Sequence, residues 1–413
     1  MTLDPVHVDG IAALAGAIAR TVDDSDHPEL ARTVWEEWLD PLVGDDDRTV
    51  LTPLGDRRLQ SVSIDDVALA GRPFETTHGL DSGTINPTTF KNGLVLDVAQ
   101  AAMAADPSDL ELHRSRSLVA TVHANDTTRD FSTDWTMWDE GYSRRKVVQA
   151  PRVNRYAEGV VHALSLYLAE STHALTHANV VSDLLILDGP LYPKEVLNWR
   201  DRDAELRTLT EEARPRSVVE NYLRLVEVFA EREVPLVGFV KNPTTKRITG
   251  TVRRRGVEAP WTDDASFFTR LLERRDGDRR RTDRLTFTSW FVDRGGSLRE
   301  LASDGDAFGV DRNLPPEAYE LTFFVLYEPR TDVLFRVEAP YVVTRDADVR
   351  DRITRQVLRD VAAERGPPTA VAKADELARV GGGEKAALRR KFEEKLDSES
   401  VRRYDDVRWG QER

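Results

Sequence analysis

The chain has 413 residues, 40% of them hydrophobic, and carries a formal net charge of −14. It contains no cysteine, which excludes a disulfide framework and any zinc site built on cysteine. No apolar run reaches the roughly 18 residues of a transmembrane helix, and the N-terminal stretch does not read as a signal peptide. We therefore expect a cytoplasmic protein that does not associate with membranes.

The charged residues are distributed unusually. Acidic residues come in blocks such as "TVDDSDHPEL" and "GDDDRTV", while the basic residues are mostly arginine. Such a surface is typical of proteins that work in high salt, where screening shortens the reach of charge repulsion, and it indicates a halophilic archaeal source. The negative net charge of the chain does not exclude nucleic-acid binding, because local arginines and bridging metal ions can still contact phosphates.

Residues 1–70 are predicted to be an N-terminal helical extension. Within it, the spacing of apolar residues predicts helices over 9–22 and 28–39, and Pro28 suits a first helical turn. Residues 58–70 have an irregular or strand-like pattern. The later elements are predicted as a short segment at 76–84, strands at 93–105, 117–125 and 234–242, further strands at 285–293, 319–328 and 333–343, and helices at 152–170, 214–233, 348–365 and 369–380.

The central part of the chain alternates between helix and strand. Residues 152–242 run helix, strand, helix, strand, which predicts an α/β fold with a layered core. No internal repeat or low-complexity linker divides the chain. The simplest description is one domain over 71–380, with a C-terminal helical tail over 381–413 that alternates in charge and is expected to be exposed.

The segment 251–283 is rich in arginine and aspartate, as in "ERRDGDRRRTDR". Its simplest interpretation is a solvated face of the protein. The alternative is a local arginine patch that binds phosphate. The pattern alone leaves both open.

Several common catalytic motifs are missing. The sequence has no GxxxxGK[ST] phosphate loop, no GxGxxG fingerprint after a strand, no GxSxG elbow and no HExxH pair. His162, His173 and His177 lie near one another in sequence, but His162 falls in a predicted helix. A histidine metal site is therefore not favoured, and carboxylates remain as the candidate chemical groups.

Five carboxylates stand out by their positions. Asp188 ends the apolar run 184–187 and is followed by Gly-Pro, while Asp81 lies in "GLDSGT". Glu158 and Glu170 fall on the helix before Asp188, and Asp375 lies among alanines in "AVAKADELA". Taken singly, each is more simply a turn or surface acid. Together, acids from two strands and two helices could converge on one or two divalent ions and support phosphodiester hydrolysis.

The chain resembles a known family in the order of several motifs. These are "GLDSGTINPTTFKNGLVLDVAQAA", "LLILDGPLYP", "VPLVGFVKNPTTKRI" and "FRVEAP", followed by a Pro-Pro segment before "AKADELARV". The ordered set resembles NurA-type nucleases over residues 71–380. The resemblance implies a ribonuclease H-like α/β core with a mixed central sheet flanked by helices. It also implies a homodimer, manganese- or magnesium-dependent DNA cleavage, and a HerA-type hexameric translocase as partner in end resection during double-strand break repair.

The resemblance also assigns roles to single residues. The first metal aspartate of the family matches Asp81, the strand-end aspartate matches Asp188, and the helix glutamate matches Glu158 best, with Glu170 as the runner-up. Lys241 matches a lysine after the "VGFV" strand that could contact a DNA phosphate; it could equally be a solvated strand end. Asp375 completes an all-carboxylate set of catalytic and metal-binding residues.

Two positions depart from the family pattern. Where the C-terminal signature of the family is similar to Tyr-Pro followed by Ala-His, this chain has Pro367-Pro368 and Ala374-Asp375. Aspartate can replace histidine as a metal ligand but not as a general acid that uses an imidazole. The departures therefore motivate a second hypothesis, a catalytically decayed ring adaptor for a DNA translocase. A third is a hydrolase of small phosphoesters.

Overall fold

A computed structural model describes residues 4–19, 27–126, 128 and 130–402. The strands are β1 (Leu42–Val43), β2 (Thr49–Pro53), β3 (Leu59–Ser63), β4 (Thr77–Thr84), β5 (Thr88–Thr89), β6 (Val95–Asp106), β7 (Arg116–His123), β8 (Thr136–Trp138), β9 (Ser143–Gln149), β10 (Leu185–Asp188), β11 (Leu236–Val240), β12 (Arg275–Asp276), β13 (Arg279–Arg280), β14 (Arg284–Thr288), β15 (Phe291–Asp293), β16 (Leu321–Glu328) and β17 (Val333–Pro340). The helices are α1 (Pro5–Ala19), α2 (His27–Trp38), α3 (Ile64–Ala68), α4 (Leu110–Arg114), α5 (Ala157–His177), α6 (Lys194–Arg202), α7 (Ala204–Leu209), α8 (Ala213–Glu231), α9 (Arg247–Arg254), α10 (Asp264–Leu272), α11 (Leu298–Leu301), α12 (Tyr341–Thr344), α13 (Ala347–Glu364), α14 (Thr369–Ala378) and α15 (Gly382–Leu396). Two short 3-10 turns cover Asp139–Gly141 and Pro316–Tyr319.

One large mixed sheet organises the molecule. Its main path is β1-β2-β15-β16-β17-β11-β10-β4-β6-β7-β9-β8, with β14, β3 and β5 attached at its sides. At the centre, β10 runs parallel to both β4 and β11, while β17 and β6 are antiparallel to their neighbours β11 and β4. The expected α/β fold with a mixed central sheet flanked by helices is confirmed.

Helices cover both faces of the central strands. On one face, Leu185 and Leu187 pack in a core with residues of α5 and α8. On the other, Leu184 and Ile186 pack with residues of α13 and α14. Because neighbouring residues of a strand point to opposite faces, the apolar run before Asp188 is buried from both sides.

Residues between 27 and 70 are part of the same sheet rather than helical throughout. The strand β2 pairs with β15 and β3 pairs with β14, so each joins residues more than 200 positions apart. The helix α2 packs against α10 in a core that contains Trp35 and Phe267. The predicted helix over 9–22 corresponds to α1, although its last three positions lie outside the described residues.

Three predicted segments differ in detail. The strand predicted over 285–293 is two strands, β14 and β15, which are interrupted at Ser289–Trp290. Both pair with β16, but on the other side β14 pairs with β3 and β15 pairs with β2. The strand predicted over 333–343 ends at Pro340, which becomes the N-cap residue of α12. Within 251–283, α10 buries Phe267, Phe268 and two leucines, so the solvated surface is limited to the residues before and after this helix. Across the part of the chain that is described, no helix has the length and apolar character needed to cross a membrane.

Candidate metal centre

The first two aspartates of the site lie side by side, just beyond the last paired residues of the parallel strands β4 and β10. Leu187 of β10 is paired with Leu80 of β4, so the next residues along, Asp188 and Asp81, are neighbours. In parallel strands paired residues point to the same face of the sheet. Both carboxylates therefore lie on the face that carries α13 and α14.

The third aspartate is brought to them by the close packing of α14 on β4. Gly79 and Gly83 flank Asp81 on the same face, and a Cβ atom at either position would overlap the backbone of Ala370 or Ala378 in α14. The glycines thus allow the helix backbone to lie directly on the strand. This contact places Asp375, in the middle of α14, over Asp81.

The three carboxylates form one cluster. Asp81, Asp188 and Asp375 each offer an oxygen, and these oxygens lie within 4.8 Å of one another. Burial, with the charges of Asp188 and Glu170, raises the pKa of Asp81 to about 8. Burial also raises the pKa of Asp188, and the charge of Asp375 adds to the effect. The cluster is a concentration of negative charge that a divalent cation would neutralise.

A glutamate from α5 completes the acidic group. The Ser82 hydroxyl donates to Glu170 Oε1 at 2.6 Å, and the Tyr222 hydroxyl donates to Oε2 at 3.2 Å. Burial raises the pKa of Glu170 to about 7, despite these two hydrogen bonds, and the Asp188 charge adds to the rise. Glu170 is therefore held close to the aspartates by a strand residue and a helix residue.

Glu158, the better match by motif, is not in this group. It lies in the first turn of α5, and the Thr89 hydroxyl donates to its Oε1 at 3.0 Å. Twelve residues separate it from Glu170, or about 18 Å along a helix axis. The structure thus brings together Asp81, Asp188 and Asp375, places Glu170 where its charge acts on Asp81, and leaves Glu158 near β5.

Comparison with known proteins identifies the family. A family model for the NurA domain matches residues 75–380. The chain belongs to the NurA domain family. This confirms the resemblance drawn from the ordered motifs.

Solved structures agree with the fold. The crystal structure of the NurA nuclease from Sulfolobus solfataricus is 11% identical, with a TM-score of 0.51 over 96% of this chain and 98% of that chain. A NurA structure bound to dAMP and manganese is 9% identical, with a TM-score of 0.41 over 97% of this chain and 98% of that chain. No curated protein sequence matches the chain. The first of these similarities establishes a shared fold.

Within the NurA domain, Lys241 lies directly against the acidic cluster. It follows β11, and its Nζ atom is 2.5 Å from Asp188 Oδ2. Burial lowers the pKa of Lys241, but the hydrogen bond to Asp188 and the charges of Asp81 and Asp375 outweigh this, so the pKa is raised. Lys241 is therefore a fixed cation beside the strand-end aspartate.

The Gly-Pro after Asp188 shapes the same edge of the NurA domain. Gly189 has a φ of +128° and donates its N–H to Phe239 O at 3.0 Å. A Cβ at Gly238 would meet the backbone of residues 189–191, so this glycine allows the turn to fold across β11. The turn ends β10 sharply at Asp188.

The histidines near this centre have other partners. His162 Nδ1 is 2.9 Å from Asp97 Oδ2, and His173 Nδ1 is 3.0 Å from Ser117 Oγ. Burial lowers the pKa values of His173 and His177, and the charge of Arg144 adds to the effect on both. The positive charge of Arg144 beside His173 and His177 disfavours a metal cation there.

The residues present fit a hard divalent metal ion. In the described ranges, the group formed by Asp81, Asp188 and Asp375 is the one set of three or more acid, histidine or cysteine side chains with ligand spacing. It offers only oxygen donors, which suit magnesium and manganese. Asp375, at the position where the resemblance led us to expect a histidine, joins the cluster as a carboxylate, and Pro367-Pro368 lead into the start of α14.

Proposed function

We propose that this protein is a metal-dependent DNA nuclease of the single-strand endonuclease and 5′–3′ exonuclease type. The observation that carries the proposal is the convergence of Asp81, Asp188 and Asp375, from two adjacent parallel strands and a helix packed on them, with oxygens within 4.8 Å of one another. Membership of the NurA domain family and the fold shared with the Sulfolobus solfataricus NurA nuclease support it.

The proposed cofactor is manganese, with magnesium as the alternative. Asp81, Asp188 and Asp375 would hold it, with Glu170 as the fourth carboxylate of the site. When bound, a divalent ion would supply Lewis-acid stabilisation of the charge that develops on a phosphodiester during hydrolysis. Glu158, assigned to this set by motif, has no support from its position beside Thr89.

Two residues of the chain would act beside the metal ligands. The Nζ atom of Lys241 would turn part of its hydrogen bonding from Asp188 to a non-bridging phosphate oxygen, since an ammonium group has three donors. Glu170 would hold a proton on its carboxyl in the absence of metal, because its pKa is raised to about 7, and release it when positive charge arrives.

The direct test is cleavage of linear and single-stranded DNA with manganese at molar salt. Asp188→Asn and Asp375→Asn keep the size of each side chain but remove a charged ligand, so both should abolish cleavage while the circular dichroism spectrum stays unchanged. Glu158→Gln is the matched control and should retain activity. Cleavage by the Asp188 and Asp375 variants at the wild-type rate would refute the proposal.

The biological setting belongs to the same proposal. As a NurA-type nuclease, the protein would work as a cytoplasmic homodimer with a HerA-type hexameric translocase in DNA end resection. Light scattering and co-purification with the translocase test these two assemblies. Wild-type protein that binds the translocase and DNA but cleaves nothing would support the ring adaptor instead. A panel of small phosphoesters tests the third hypothesis.

A further inference from the structure

An open polar groove starts at the metal centre and ends at the arginine-rich segment. Its volume is about 760 Å³, and its lining begins at Lys241, the cation paired with Asp188. The wall continues through the residues after β11 and along α10, whose groove side carries Ser266 and Thr269. It ends at Arg275 and Arg280.

The far end of the groove is a small hairpin with two different faces. Arg275 is paired with Arg280, and Asp276 with Arg279, across the turn at Gly277. Paired residues of antiparallel strands share a face, and the next pair lies on the opposite face. Arg275 and Arg280 therefore face the groove together, while the exposed Arg279 faces away.

The groove-facing arginines are held in place by acids but keep hydrogen-bond donors. Glu273, nearly buried, pairs with Arg275 at 3.1 Å and with Arg280 at 2.9 Å. Asp332 pairs with the other side of Arg280 at 2.6 Å and also accepts a hydrogen bond from the Tyr327 hydroxyl. A guanidinium has five N–H donors, so the two acids fix its orientation and still leave donors for a further hydrogen bond.

We propose that this groove binds the phosphate backbone of the DNA strand beyond the scissile phosphate, with Arg275 and Arg280 as its distal contacts. This inference rests on the proposed nuclease function, whose phosphate-facing residue Lys241 is the proximal end of the same groove. The arrangement suits a polyanion, because arginines stand at one end, a lysine at the other, and hydroxyl groups between them. The lining holds four basic and three acidic side chains, a small local excess of positive charge in a chain with a net charge of −14.

A nucleic acid strand fits the groove better than a protein segment does. The lining is mostly polar or charged, with threonine, serine and asparagine side chains beside Trp261 and a few aliphatic residues, whereas a protein partner would be expected to meet mainly aromatic or aliphatic anchors. Lys241, which lines the groove, is also the ion-pair partner of Asp188, so a strand bound in the groove would place a phosphate at Lys241. The arginine segment is thus neither wholly a solvated face nor an isolated patch.

The first experiment measures binding without cleavage. In full-length protein carrying Asp188→Asn, fluorescence anisotropy of a labelled single-stranded oligonucleotide is recorded over the salt range in which the protein stays folded. Arg275→Gln should lower the slope of log K against log salt by about 0.7, and weaken binding about threefold near 0.2 M salt. The control Arg279→Gln removes the same charge from the opposite face of the hairpin and should change neither quantity.

The second experiment uses cleavage-competent protein and substrates of increasing length. Arg275→Gln should lower kcat/KM for long single strands and leave the shortest cleaved substrates unaffected, because only long strands reach the hairpin. Equal effects of the Arg275 and Arg279 variants on the salt slope would contradict the proposed groove. A decrease in kcat/KM that does not depend on substrate length would contradict it as well. If the wild-type protein cleaves nothing but the Arg275 variant still binds DNA more weakly, the nuclease proposal fails and the binding groove stands.

Discussion

Metal binding to the acidic cluster should release protons in an amount that depends steeply on pH. The pKa of Asp81 is raised to about 8 and that of Glu170 to about 7. At pH 7 the metal-free site therefore holds about 0.9 proton on Asp81 and about 0.5 on Glu170. A bound divalent ion favours the ionised form of both carboxyl groups. About 1.4 protons should therefore be released per ion at pH 7, and about 0.3 at pH 8.5.

The same arithmetic gives the affinity. Summed from pH 6.5 to pH 8, the loss of these protons should raise the apparent manganese affinity roughly 50-fold. Isothermal titration calorimetry in buffers of different ionisation enthalpy measures the protons directly. Asp81→Asn should reduce the release at pH 7 to about 0.5 per ion, while Glu158→Gln leaves it unchanged. Tight binding with no proton release at pH 7 would show that the carboxylates are already ionised and would refute this electrostatic account.

Three further predictions concern single residues of the centre, and a fourth concerns the stability of the metal-free protein. Glu170→Gln should lower manganese affinity by about 10- to 100-fold in calorimetry, as expected for groups that support a metal site. Gly79→Ala should lower the thermal midpoint, at a cost of about 1–3 kcal/mol, because its Cβ overlaps the backbone of Ala370. Lys241→Gln should move the acid limb of the pH–rate profile to higher pH, since the lysine opposes the rise in the Asp188 pKa. Without metal, the folded chain keeps a proton on Asp81 that the unfolded chain loses, so the thermal midpoint should fall as pH rises from about 4 to about 8, and manganese should reverse this fall at pH 8.

Part of this centre could be anticipated from local pattern. An apolar run that ends on Asp188, followed by Gly-Pro, indicates a buried strand with an acid at its end, whereas Asp81 lies inside β4 and is marked locally only by the glycines two residues to either side. The alanines around Asp375 indicate a helix packed closely on something. These features depend on residues near one another in the chain, which is why the sequence is informative about them.

The choice between Glu158 and Glu170 needed the three-dimensional structure. Both acids lie on α5, and their spacing from Asp188 does not say which turn of the helix crosses the strand ends. Ser82 and Tyr222 favour Glu170 because they hold its carboxyl group in place, and neither residue is marked by any motif. The pairing of β2 with β15 could not be predicted from the sequence either, because no local pattern connects positions 49–53 with 291–293.

The close contact between α14 and β4 also determines when the centre can exist during synthesis. Its three aspartates come from positions 81, 188 and 375, and the last is supplied by a helix near the C-terminal end of the domain. A ribosome-bound chain that has not yet exposed α14 has two of the three carboxylates and nothing to close the site over them. Nascent and truncated chains should therefore be harmless to the genome, and activity would appear only once the whole domain has folded.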